Sequence, residues 1–486
     1  MKSSNHSLSG GAVPEPRRAV WAVAITAVAL FMTSLDNLVV TTALPVIRTH
    51  LHAGLAGLEW TVNAYTLSFA VLLLTGAALG DRFGRRRLFA IGLAVFTLAS
   101  AGAALAPSVG VLVAARAVQG VGGAIVTPLT LTLLSDAVPP ERRNVALGVW
   151  GAVGGLAVAM GPLVGGAVVE GASWQWIFWL NVPVGVALVP LALRRLDESH
   201  GRSVPLDLPG VALATVGLLG VVLGLVRGSG HGWSSAPVLG SFALGVGGLV
   251  AFVVRERSAR SPMLPLRLFR SRSFSVVNVV ALLMSFGMFG SIFLLAQFLQ
   301  TVQHYSPLSA GLRTLPWTAM PMLVTPLAGA LVDRVGARRL LAAGLILQAA
   351  GLGWLALLIS PTVSYASLVA PFVVSGIGMS LFFVPVASVV LGSVGRADEG
   401  VASGTNNSFR ELGGVLGIAV LGSVFSALGG YAGGADFVSG LIPAVAVGAG
   451  VVGAGGLLAL ALPAFSTVKE PAVSAHVAAT PVTQAA

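Results

Sequence analysis

Four ionisable side chains interrupt long apolar runs: Asp36, Arg116, Arg410 and Glu411. A charge inside such a run costs several kcal/mol in lipid unless it is paired or neutralised, so intramembrane charges mark ion paths and proton sites. Asp36, in Leu35-Asp-Asn-Leu-Val-Val-Thr-Thr-Ala-Leu-Pro45, lies about nine residues from the end of its run, roughly 13 Å deep at 1.5 Å per residue. Arg116, in Arg116-Ala-Val-Gln-Gly-Val-Gly-Gly-Ala124, lies about seven residues from the same face, so the two are matched in depth. A carboxylate that takes up and releases a proton beside a guanidinium is suited to proton coupling. Glu411 is a second candidate for that work, about 10 residues in from the other face. Arg410 and Glu411 point about 100° apart on a helix and need not pair with each other. Asn37, Gln119, Asn406, Asn407 and Arg410 are the polar candidates for a substrate cavity.

These groups require membrane helices to position them. The chain is 56% hydrophobic and 9% charged over 486 residues, more apolar surface than soluble cores could hide. A span needs about 20 mostly apolar residues. Fourteen are legible: 19–43, 58–80, 88–106, 109–134, 144–169, 174–193, 207–226, 237–254, 274–300, 310–332, 340–360, 366–391, 400–428 and 438–463. The first is too long for a signal-peptide core. An even number places both termini on one side. That side holds 23 of the 28 Lys and Arg residues, which makes it cytoplasmic. Arg48 and Arg227 fall in opposite loops, with Arg313 near a span end. Glu59 and Glu170 are placed near outer ends, leaving Asp36 and Glu411 as the deep carboxylates.

Composition also excludes classes. The net charge of +11 is spread over short interhelical loops, so it is a topology signal and not a nucleic-acid surface. Lys2 and Lys469 are the only lysines, which excludes a phosphate-binding loop ending in Gly-Lys-Ser/Thr. The chain has no cysteine; neither disulfides nor thiolate metal sites are available. No metal-ligand spacing and no Ser–His constellation appears among the seven histidines, so neither an enzyme nor a metal site is expected. No cofactor is expected beyond an ion gradient as the energy source.

One charged turn is written twice: Gly76-Ala-Ala-Leu-Gly-Asp-Arg-Phe-Gly-Arg-Arg-Arg-Leu88 and Gly329-Ala-Leu-Val-Asp-Arg-Val-Gly-Ala-Arg-Arg-Leu340. Val145-Ala-Leu-Gly148 and Val401-Ala-Ser-Gly404 echo at nearly the same offset. Two homologous halves follow, as in secondary transporters. The organisation is an N-terminal tail (1–18), a six-helix bundle (19–193), an inserted helix pair with its linkers (194–273), a second six-helix bundle (274–463) and a C-terminal tail (464–486). The basic, Pro-containing linker 255–273 is suited to anionic lipid headgroups.

These motifs resemble the major facilitator superfamily, specifically its fourteen-helix drug:proton antiporters, over essentially the whole chain outside the tails. The resemblance implies an all-α membrane fold of two six-helix bundles plus two inserted helices. It assigns Asp36, Arg116 and Glu411 to proton coupling. It assigns Asp81, Arg82, Gly84, Arg85 and Arg86, with Asp333, Arg334, Gly336 and Arg338, to a conformational gate that latches the outward-open state. The first copy departs from the pattern with Ala77 where glycine is usual. Gly148, Gly161, Pro162, Gly165 and Gly166 resemble the helix that separates antiporters from symporters, with Ala157 replacing one glycine. Trp174-Gln-Trp-Ile-Phe-Trp-Leu-Asn-Val-Pro183 also resembles the family, with Gln175 in place of its arginine; its aromatics suit the outer interface.

The expected function is proton-coupled export of an antibiotic or related amphiphile across a bacterial cytoplasmic membrane, by a monomer embedded in lipid. Few deep acids beside Arg116, Arg313 and Arg410 lean toward neutral, zwitterionic or anionic substrates. An uptake symporter on the same fold is the alternative, which the span 5 motif disfavours. A membrane enzyme and a transport-dead sensor are rivals that the motifs disfavour further.

Overall fold

The computed structural model describes residues 16–201, 205–395 and 398–463. The expected tails lie largely or wholly outside these residues, as do Arg202 and Arg396. The elements are α1 (Pro16–His50), α2 (Leu55–Phe83), α3 (Arg85–Ala104), α4 (Val109–Ala137), α5 (Pro140–Gly171), α6 (Trp176–Trp179), α7 (Asn181–Arg195), α8 (Leu208–His231), α9 (Ala236–Ser258), α10 (Arg272–Thr301), α11 (Pro307–Thr318), α12 (Met320–Val335), α13 (Ala337–Leu358), α14 (Tyr365–Gly392), α15 (Glu399–Leu428) and α16 (Gly434–Ala459). Together they supply 14 helices or helix pairs long and apolar enough to cross a membrane. The sixth span is α6 with α7, and the tenth is α11 with α12.

Hydropathy places every span but shortens most, because helices continue past the lipid into polar ends; α1 runs to His50, where the apolar run stops at Ala43. The tenth span breaks at Ala319, between Pro316 and Pro321. Proline removes a backbone donor and crowds the preceding turn. Gly84 (φ +104°) and Gly336 (φ +89°) each end one helix and begin the next. Only glycine adopts that left-handed backbone freely, which explains why both copies of the charged turn carry it.

Packing joins α1–α7 into one bundle and α10–α16 into another. The inserted α8 and α9 form a tight hairpin; a β-carbon on Gly220 would press on the Gly245 backbone. The hairpin covers the α2/α15 seam. Ala214, Val222 and Val226 pack with Leu67, Val71, Val415 and Ala419, and Ser423 Oγ donates to Leu225 O at 2.9 Å. The linker after α9 is not free. A short 3₁₀ turn over Leu266–Arg270 holds Arg267, whose guanidinium makes two 2.7 Å hydrogen bonds to Asp398.

The face where α1 begins carries most of the arginines; the other is called the far face below. The halves interlock at the far face. A β-carbon on Gly166 would collide with the Pro307 carbonyl, and one on Gly311 with the Pro162 carbonyl. Gln300 Nε2 donates to Thr42 O at 2.8 Å and Leu308 N to Glu170 at 3.0 Å. The Arg48 guanidinium stacks 3.8 Å over the Tyr431 ring. Toward the arginine-rich face α5 stands clear: Gly148, Gly151 and Gly155 would each accept a β-carbon with nothing within 4 Å. The halves are joined at the far face, while these α5 glycines toward the other face have open space beside them.

Candidate functional site

Asp36 and Arg116 meet inside the first bundle. Both are buried, at 3% and 0% exposure, and Arg116 Nη1 donates to Asp36 Oδ2. Gln119, one turn along α4, accepts from Arg116 Nη1 at 2.7 Å and donates to Asp36 Oδ1 at 2.8 Å. Asn181, the first residue of α7, donates to the same oxygen at 2.8 Å. Ser100 Oγ on α3 accepts from Gln119 at 2.8 Å. Arg116 Nε donates to Thr61 O at 3.1 Å, and its guanidinium lies 4.3 Å over the Tyr65 ring. Tyr65 OH in turn donates to Thr33 O at 3.2 Å.

This arrangement pairs most of a charge pair held away from water: the carboxylate receives three donors, and Arg116 Nε and Nη1 reach three acceptors beneath an aromatic face, while Arg116 Nη2 is buried without a partner. Five helices, α1 to α4 and α7, contribute to one network. Placing a proton on Asp36 converts charge-assisted bonds to weaker ones and leaves Arg116 as an uncompensated cation. Such a change is worth several kcal/mol, enough to shift helix packing.

Gln119, expected among the substrate-cavity candidates, is fully buried in the carboxylate network. Asn181 and Ser100 were not anticipated; Asn181 was in view only as part of an aromatic interface run. Its signal was present, since an amide seven residues into the sixth span, counted from Trp174, lies near the depth of Asp36.

Arg410 and Glu411, which their spacing left free to pair or not, do pair, at 3.4 Å. The flexible guanidinium reaches round to its sequence neighbour. Glu411 Oε2 remains buried without a partner. Asn406 Nδ2 donates to Asn278 Oδ1 at 3.2 Å, so it bridges α15 and α10. Asn407 is half-buried. Asn37 lines a small cavity with Val62, Thr66, Phe289, Gly414 and Ile418. Glu59 lies within the first two turns of α2, near the far-face end where it was expected. It is nonetheless only 2% exposed and packs on Gly422, where a β-carbon would collide with Glu59 Oε1. Arg313 lies well inside α11, its guanidinium 3.8 Å from the Tyr305 ring.

The first charged turn is a closed network within one half. Arg85 bridges Asp81 (2.7 Å) and Asp136 (2.6 Å). Ser199 Oγ donates to Asp136 at 2.8 Å and Gly201 N to Asp81 O at 3.1 Å. Arg86 N donates to Glu198 at 2.9 Å, with Arg87 also 3.6 Å from that carboxylate. Arg82 stays exposed over Phe83. Among the described residues Asp81 makes its ion pair to Arg85 and none to the other half.

The second turn has no equivalent network. Asp333, Arg334 and Arg338 form no ion pair among the described residues. The repeat puts Ala337 where Arg85 stands and Gly392 where Asp136 stands, so both bridging groups are missing. The departure at Ala77 is explained by its neighbour: a β-carbon on Gly76 would collide with the Ala124 carbonyl, so the glycine is needed there. On α5, Gly161 packs on Leu38 and Gly165 on Val39 and Thr42, locking α5 to α1.

The family model described as Major Facilitator Superfamily matches residues 26–418, and again 277–482. The chain belongs to the major facilitator superfamily. It is 35% identical over 430 residues to the tetracenomycin C resistance and export protein of Streptomyces glaucescens, covering 87% of this chain and 80% of that one. It is 40% identical over 428 residues to the cephamycin export protein CmcT of Amycolatopsis lactamdurans, covering 87% and 88%. It is 37% identical over 404 residues to the multidrug resistance protein Stp of Mycobacterium tuberculosis, covering 83% and 75%. Among solved structures, a peptide transporter POT in complex with sulfate superposes with a TM-score of 0.68 at 17% identity, over 93% of this chain and 95% of that one. The last likeness bears on the fold.

Proposed function

We propose that this superfamily member exports an antibiotic or related amphiphilic small molecule across a bacterial cytoplasmic membrane, in exchange for protons. The buried Asp36–Arg116 pair with its Gln119 and Asn181 donors is the observation that carries the proton coupling. Similarity to resistance and export proteins over more than four-fifths of the chain supports the direction and substrate class. Arginine bias supports both termini in the cytoplasm, so the arginine-rich face receives drug from the cell.

In this reading substrate enters between α5 and the second bundle while Asp36 holds Arg116. A proton then reaches Asp36 and loosens that pairing. The two bundles rock about the far-face interlock of α5 with α11, and drug leaves outside. Asp81 and its arginines hold the alternate state, and Glu411 supplies a second protonation site. The transporter works as a monomer in the bilayer and needs no cofactor.

The test is drug susceptibility in a pump-deficient bacterial host across antibiotic classes, with wild type and Asp36→Asn side by side. Resistance to one class that vanishes in the variant establishes driven export and its substrate class. Undiminished gradient-dependent export by Asp36→Asn removes Asp36 from the coupling. Protection against nothing, with membrane expression confirmed, turns the reading toward uptake.

A further inference from the structure

Along the seam between α2 and α15, a column of polar side chains faces a column of mostly small ones. Glu59, Asn63 and Thr66 share one face of α2 by helical spacing. Gly422, Ile418, Gly414 and Glu411 share the facing side of α15. The columns meet at both ends and between them. Glu59 Oε1 packs on Gly422, the Thr66 cavity is lined by Gly414 and Ile418, and Ser408 Oγ reaches Ala70 O at 2.9 Å.

Thr66 Oγ1 donates to Val62 O at 3.2 Å and Glu411 Oε1 pairs with Arg410, but other polar atoms on this seam lack partners among the described residues. Asn63 is fully buried, and both its amide heteroatoms are without a hydrogen bond. Glu411 Oε2 is likewise bare. Glu59 joins no ion pair among the described residues; Arg48 is engaged with Tyr431 beside it, and Arg227 on α8 is exposed. A buried polar group left bare costs about 1–3 kcal/mol, and such groups ordinarily hold water. The α8 helix shields the seam from lipid through Ala214, Val222 and Val226. On the opposite side of α2, the Thr61 carbonyl and the Tyr65 ring face Arg116. The seam is therefore separate from the Asp36 network.

We infer that the α2/α15 seam holds a file of water that conducts protons between the far face and Glu411, with Glu59 as its entry carboxyl. A hydronium at the far face gives its proton to the Glu59 carboxylate. Hydrogen-bond exchange along water held by Asn63 and Thr66 delivers a proton to the Glu411 carboxylate, beside Arg410. Only O–H bonds are made and broken. From Gly422 to Glu411 the path is about 16 Å at 1.5 Å per residue. The inference rests on Glu411 as a protonation site.

The cysteine-free chain permits a direct test on the full-length protein in lipid nanodiscs. Single cysteines replace Asn63, Thr66 and, as the dry control packed toward α8, Leu67. A small hydrophilic methanethiosulfonate is expected to modify Asn63→Cys and Thr66→Cys about tenfold or more faster than Leu67→Cys. In the unmodified protein, dicyclohexylcarbodiimide, which adds to buried carboxyls in their acid form, is expected to label Glu59 by peptide mapping. The adduct should be absent in Glu59→Gln and should diminish as pH rises. Equally slow reaction at all three cysteines would mean a dry seam and overturn the inference. A wet seam with no adduct on Glu59 would overturn its role as entry carboxyl. Neither readout requires transport, so the result is independent of whether export itself is confirmed.

Discussion

Asn181 Nδ2 donates to Asp36 Oδ1 at 2.8 Å, which ties the first residue of α7 to the middle of α1 across 145 positions of sequence. The bond makes the carboxylate a junction between α1 and α7 of the first bundle. Replacing Asn181 by Ala removes one charge-assisted donor, a loss of about 1.5–3 kcal/mol when the acceptor stays buried. Driven export is expected to fall about tenfold or more, while the protein still folds and reaches the membrane. Measured transport rates equal to wild type would show that Gln119 and Arg116 suffice.

The far-face interlock predicts a wedge effect. Gly311 has no room for a side chain against the Pro162 carbonyl. Gly311→Leu should hold the halves apart at that face and abolish export. A cysteine placed at Thr42, which is 2% exposed, should become reactive to an impermeant thiol reagent in the Gly311→Leu background only. Protection of that cysteine in both backgrounds would contradict the closure described above.

The two charged turns should respond unequally. Arg85→Ala removes the bridge between Asp81 and Asp136 and should slow turnover several-fold. Arg338→Ala breaks no ion pair among the described residues and should cost much less. Rates measured on the two variants side by side decide it; a larger loss at Arg338 would reverse the proposed asymmetry.

Gly336 tests the backbone alone, since its φ is +89° and nothing lies within 4 Å of a β-carbon there. Gly336→Ala should destabilise by about 1–2 kcal/mol. Gly336→Asn should cost as much, because the ψ of +141° lies outside the αL well that asparagine tolerates. Thermal unfolding in detergent compares them. Equal midpoints for all three proteins would mean that the turn is not held in that conformation.

The Arg267–Asp398 pair gives a pH prediction. Hydrogen bonding to Arg267 holds the Asp398 carboxyl below its ordinary value. The folded value is therefore depressed. The pair persists at neutral pH and is lost only as pH falls through that lowered value, below the usual aspartate value of about 3.9. Protease sensitivity of the 255–273 linker should be flat from neutral down to mildly acid pH and rise only in stronger acid. In Arg267→Ala it should already be high at neutral pH.

Much of this was readable in one dimension. In lipid every backbone polar group must be satisfied within the segment, so apolar length alone fixes where helices lie. Arginine bias then orients them, and the duplicated turn marks two halves. The matched depths of Asp36 and Arg116 announced their pairing for the same reason: an unpaired charge at that depth is too costly. What sequence did not settle is who stands beside whom around each helix. Asn181 joining Asp36, Gln119 turning inward, Arg410 folding onto Glu411, Glu59 burying against Gly422 and the missing second bridge at Ala337 and Gly392 all depend on lateral packing. Small residues such as Gly76, Gly161 and Gly311 set how closely helices approach, and only the assembled bundle shows which backbone each one meets. Span position follows from the solvent, which every residue meets alike; neighbour identity follows from shape, which exists only once the helices are packed.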